Sequence, residues 1–68
     1  MTYELIFRYY DAGCECAERI QTTLGLPQTV RNFTLNNNLA ASDWIACEVY
    51  GPQGELLTRL SYNGTEYK

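Results

Sequence analysis

Two thiols flank one glutamate at Cys14-Glu15-Cys16, within the stretch YYDAGCECAERI. Thiolates at such a place serve elsewhere as redox nucleophiles or as ligands for soft metals. Whether these two do so depends on the backbone that carries them. Asp11 offers a helix N-cap. The spacing of Gly13, Ala17, Ile20 and Leu24 then predicts an amphipathic helix over roughly residues 12–25. On a helix, two residues rotate the chain by about 200°, so the Cys14 and Cys16 thiols point apart and cannot share an ion or a disulfide. They cooperate only if residues 11–16 form a loop. A helix N-terminus lowers a thiol pKa, whereas Glu15 and Glu18 oppose that shift. Packing or surface roles are expected for both cysteines, with thiol-redox or soft-metal function as the alternative. Cys47, between Ile45 and Val49, is expected to be a small buried hydrophobe.

Little else in the chain suggests catalysis. It contains no histidine, which removes Ser-His-Asp and Cys-His nucleophile systems and the commonest general base. Its glycines do not form a phosphate-cradling loop. Glu15 and Glu18 form a carboxylate pair that reads as solvated helix charge. So short a chain also has little room for a ligand cleft. No enzymatic activity and no cofactor are expected.

The elements that must position these residues follow from periodicity. TYELIFRYY alternates, with Tyr3, Leu5, Phe7 and Tyr9 on one face and Glu4, Ile6, Arg8 and Tyr10 on the other, which predicts a strand. Gly25 reads as the left-handed residue ending the helix, and Pro27 as its stop. TVRNFTL reads as a second, weaker strand, broken by Asn36-Asn37-Asn38. LAAS is a short helical turn or loop. DWIACEVY places Trp44, Ala46, Glu48 and Tyr50 on one side of a strand and Ile45, Cys47 and Val49 on the other. The turn GPQG and the returning ELLTRLSY complete a hairpin. Asn63-Gly64 marks a further turn, after which TEYK adds a short edge strand or frays. The fold expected is α+β: one helix packed on one face of a three- to four-stranded, mainly antiparallel sheet, in the order β-α-β-β-β. Residues 1–68 are expected to form a single small α+β domain.

The stretch of strand, Gly13, cysteine pair and helix resembles the heavy-metal-associated copper carriers. That likeness implies a ferredoxin-like fold with metal held at Cys14 and Cys16. The chain departs from the family in having one residue between the cysteines instead of two. It also has only GPQG where the family has a second helix. The same stretch is similar to the opening of a glutaredoxin, whose fold needs a longer chain and a proline loop facing the cysteines. Each likeness covers about twenty residues, and neither is adopted.

Composition narrows the partner class. The 68 residues are 46% hydrophobic and carry a formal charge of −3, with five scattered basic residues. Direct nucleic-acid binding is not expected, because phosphate neutralisation needs clustered Lys and Arg. No apolar run reaches the ~20 residues of a membrane span. The N-terminus lacks the basic and small-residue features of a signal peptide, so a cytoplasmic location is expected.

Six tyrosines and a tryptophan supply side chains that anchor protein interfaces. One helix covers one sheet face, so the other face stays exposed or meets a partner. The function expected is that of a small acidic, non-enzymatic protein-binding module. It would inhibit or modulate a larger complex, one that processes nucleic acid for instance, as phage and mobile-element proteins do. Tyr10, Trp44 and Tyr50 are the expected contact residues, with Asp11, Glu15 and Glu18 as an acidic patch. A homodimer, or a purely structural homo-oligomer, is the further alternative.

Overall fold

The computed structural model describes residues 2–23 and 25–66. The elements run β1 (Tyr3–Asp11), β2 (Cys14–Thr22), α1 (Leu26–Asn36), a short 3-10 turn (Ala41–Asp43), β3 (Trp44–Tyr50) and β4 (Leu56–Leu60). The fold is therefore α+β, with one helix and a four-stranded antiparallel sheet ordered β2-β1-β3-β4. The chain order is β-β-α-β-β, which corrects the expected β-α-β-β-β.

The correction falls on residues 12–25. Instead of a helix, the chain makes a tight hairpin: Asp11 pairs with Cys14, and the register continues to Tyr3 opposite Thr22 without a break. Asp11 is thus the last residue of β1 and not an N-cap. Ala12 and Gly13 both take positive φ, 51° and 82°, the backbone that a two-residue hairpin turn demands. The helical spacing of Ala17 and Ile20 in β2 is coincidental. An edge strand is only half covered, so its apolar alternation is weak, and pairing with β1 overrides local propensity. Leu24, the last member of the expected helical stripe, lies outside the described residues.

The helix forms one segment later, where a strand was expected over TVRNFTL. Pro27 lies in its first turn, where its fixed φ suits a helix and its missing N–H removes a donor that has no intrahelical acceptor. Gly25 precedes the helix instead of ending one. Thr29, Val30, Phe33 and Thr34 are buried, the one-face pattern of a helical period. The asparagine run is the helix stop. Asn38 turns left-handed at φ 52°, and the amides of Asn38 and Leu39 return to the carbonyls of Leu35 and Thr34 at 3.3 and 3.0 Å. This is a Schellman closure with Asn in the place usual for Gly.

The core comprises Leu5, Phe7, Val30, Phe33, Cys47, Val49 and Leu60. The Phe33 ring of α1 lies over the Phe7 ring of β1 with centroids 3.9 Å apart and planes within 8°. Tyr9 meets Phe33 edge-on, and Trp44 meets Phe7 and Tyr62 edge-on. The Tyr62 hydroxyl donates to the Leu39 carbonyl at 2.7 Å, fixing the turn after β4 to the segment that follows the helix. Gly64 in that turn has φ 87°, and a Cβ there would lie 2.8 Å from the Cα of Pro27. Only glycine allows so close an approach. In the TEYK segment, Glu66 makes an isolated bridge to Leu60, while residues 67 and 68 lie outside the described residues.

Candidate functional site

The sheet register sorts the side chains into two faces, because residues opposite one another in a ladder point the same way. Leu5, Phe7, Ile20, Thr22, Cys47, Val49 and Leu60 point to the side carrying Val30 and Phe33. Glu4, Ile6, Arg8 and Tyr10 of β1 point the other way. With them lie Glu15, Ala17, Arg19 and Gln21 of β2, Ala46, Glu48 and Tyr50 of β3, and Arg59 of β4. These residues make up the open face of the sheet.

Charge on the open face is balanced and organised. Glu48, whose side chain is only 12% exposed, accepts a hydrogen bond from Arg8 Nε at 3.0 Å and faces Arg59 Nη2 at 3.7 Å. The bond from Arg8 to Glu48, and then the charge of that carboxylate, raise the guanidinium pKa above its ordinary value; Tyr50 and Glu15 add smaller increments. A second pair joins Arg19 Nε to Glu4 at 3.3 Å. Together with Glu15, these pairs put three carboxylates and three guanidiniums on this face, so the acidic excess of the chain lies elsewhere. A half-open groove between Ile6, Arg19, Tyr50 and Pro52 runs along one end of the face.

The sequence-predicted contact residues divide. Tyr10, 42% exposed, and Glu15 sit opposite each other on the open face, and Tyr50 lies on the same face opposite Glu4. Trp44 does not join them. A bulge shifts the register between Arg8 and Tyr9, so that Tyr9 faces Trp44 while Arg8 faces Ala46. The extra residue, Ile45, lets Trp44 turn to the core side against Phe7 and Tyr62. Its indole N–H is buried without an acceptor among the described residues. The carboxylates divide too. Asp11 and Glu18 register with the core side, opposite Cys14 and Phe7, while Glu15 is on the open face. Glu18 also borders grooves on both sides of the free edge. Among the described residues, none of these three carboxylates joins an ion pair.

Arg8, Glu48 and Leu56 also contribute to this face. Arg8 and Glu48 form the centre of the open face, a feature signalled only by opposite charges on strands that the register places side by side. Leu56, 48% exposed, falls opposite Tyr50 because a second bulge shifts the register between Val49 and Tyr50.

The cysteines sit differently from the helical expectation. On a strand, residues two apart share a face, so Cys14 and Cys16 point the same way. The Cys16 thiol lies 3.6 Å from the Cys14 carbonyl oxygen as a weak donor. Both are free, Cys14 exposed and Cys16 half-buried. Cys47 is fully buried, and burial, with a smaller push from Glu48, raises its thiol pKa to about 12. Among the described residues, no group of three or more Cys, Asp or Glu is placed to hold a metal ion. Nor is any helix there long and apolar enough to cross a membrane. The chain matches no protein-family model, no curated protein and no solved structure.

Proposed function

We propose that this chain is a small non-enzymatic protein-binding module that engages its partner through the open face of the sheet. The observation that carries this reading is the composition of that face. Tyr10, Ile6, Tyr50 and Leu56 surround an arginine-glutamate-arginine arrangement that is already held in place. Tyrosine and arginine are the side chains that most often carry interface energy, and pre-ordered ones lose little freedom on binding. The balanced charge of the face favours a mixed polar and aromatic protein surface over a strongly basic one. An inhibitor or modulator of a larger complex, of the kind phage and mobile elements encode, remains the role proposed for such a module. Asp11, beside the β1–β2 turn, and Glu18, at the middle of the β2 edge, register with the core side and would lie outside the centre of the contact.

The test is tagged capture from host lysate with three forms of the chain: wild type, Cys14→Ser/Cys16→Ser, and Tyr10→Ala/Tyr50→Ala. The expected result is one stoichiometric partner with the first two forms and its loss with the third, all three giving the same circular dichroism. Loss with the serine form, or capture of mixed disulfides or metal by wild type alone, would move the function to the thiols.

A further inference from the structure

The two edges of the sheet are built differently. β4 is short, is bulged against β3, and is bridged at its end by Glu66. Shortness, bulging and cover are among the devices that keep an edge from pairing with another chain, and inward-pointing charge is another. Among the described residues, Glu18 is the one inward-pointing charge on β2, which has none of the first three. β2 is a nine-residue strand, regular against β1 throughout, with no proline or glycine. The turn closes on the Asp11–Cys14 pair, so ladder alternation points the amides of Glu15, Ala17, Arg19 and Gln21 outward.

The charges on this edge are self-complementary. In an antiparallel pair of identical strands about a two-fold axis, the residue at the axis faces its own copy. An axis at Glu15 or Glu18 sets carboxylate against carboxylate, and one at Arg19 sets guanidinium against guanidinium. An axis at Cys16 leaves Arg19 facing Gly13. An axis at Ala17 alone places Glu15 opposite Arg19 twice, with Cys16 opposite Glu18, Cys14 opposite Ile20, and the small alanine at the centre. Arg19, already beside Glu4 of its own chain at 3.3 Å, would then lie between two carboxylates.

The geometry points to a second copy of this chain as the occupant of the β2 edge. The two copies pair antiparallel about Ala17 into one continuous eight-stranded sheet. Because the axis is perpendicular to the sheet, both open faces look the same way. This association does not depend on the partner-binding role proposed above, and its test reads mass alone.

Sedimentation of the purified chain from micromolar to millimolar concentration should show twice the monomer mass of 7.8 kDa at the upper end. Glu15→Arg and Arg19→Glu, each placing like charges opposite, should each weaken association by about ten- to hundredfold. The double variant Glu15→Arg/Arg19→Glu should restore it, which also shows that the single variants had not merely unfolded. In a Cys14→Ser/Cys16→Ser background, Ala17→Cys should form disulfide-linked dimers on mild diamide oxidation. Opposed Cα atoms at about 5.5 Å are within disulfide reach. Gln21→Cys in the same background should not. A chain that stays monomeric at every concentration overturns the inference. So do dimers indifferent to both charge reversals, and so does equal cross-linking at residues 17 and 21.

Discussion

Cys47 is the residue whose chemistry is most altered by the fold. Its thiol has an ordinary value of 9.0 and is held by burial up to about 12. The folded state therefore keeps the proton that the unfolded state releases first. With fewer protons bound in the unfolded chain, stability falls as pH rises: the contribution is complete below about 9 and is lost progressively toward 12. The expected slope is about −1.4 kcal/mol per pH unit in that window, measurable by urea unfolding at a series of alkaline pH values. Cys47→Ala should remove the part that begins near pH 9, leaving the part from Tyr9, whose hydroxyl pKa is also raised by burial above its ordinary 10.0. A thiol count with a bulky disulfide reagent at neutral pH should find Cys14 and Cys16 in the native state, and Cys47 only after unfolding. The buried role of Cys47 was legible from its neighbours Ile45 and Val49. The shared face of Cys14 and Cys16 was not, since it follows from a strand that the local spacing disguises as a helix.

Element boundaries turn on a few backbone positions. Ala12 carries a side chain at φ 51°, a conformation that costs an ordinary L-residue about 1–2 kcal/mol. Asparagine tolerates it better, so Ala12→Asn should raise stability by about 1 kcal/mol and the melting temperature by about 4–8 °C. The same alanine leaves the hairpin without a turn signal in the sequence. Asn-Gly or Asp-Gly announces such a turn, whereas Ala-Gly does not, and Asp11 before it imitates a helix cap. Pro27 and the asparagine run misled in the opposite sense, because each suits a strand break as well as a helix end. Strand β1 and the β3–β4 hairpin were legible because their alternation is long and their turn residues, Pro52 and Gly54, are unambiguous. At the other boundary, Gly64→Ala would add strain at φ 87° and a 2.8 Å approach to Pro27. A loss of about 2 kcal/mol is expected, read as a lower midpoint in thermal melting.

At the scale of the molecule, a chain this short has a marginal core, concentrated here in the Phe7–Phe33 stack and its neighbours. Phe33→Ala should cost about 3–5 kcal/mol, enough to leave the chain largely unfolded at room temperature by circular dichroism. With the core committed to one side of the sheet, the other side is free to be a surface. The faces of β1 were readable from alternation alone. That Trp44 would part from Tyr50 was not, because a single bulged residue at Ile45 reverses the pattern between them. Nor was the pairing of Arg8 with Glu48, forty residues apart, since register is a property of the assembled sheet.

Contact through the open face is tested by titrating the labelled chain with the partner captured by wild type and following each residue by NMR. Perturbations centred on Ile6, Arg8, Tyr10, Glu48 and Tyr50, with Val30 and Phe33 unmoved, are the result expected. Perturbations centred on Cys14 and Cys16, or on the exposed side of the helix around Arg31 and Leu35, would contradict it.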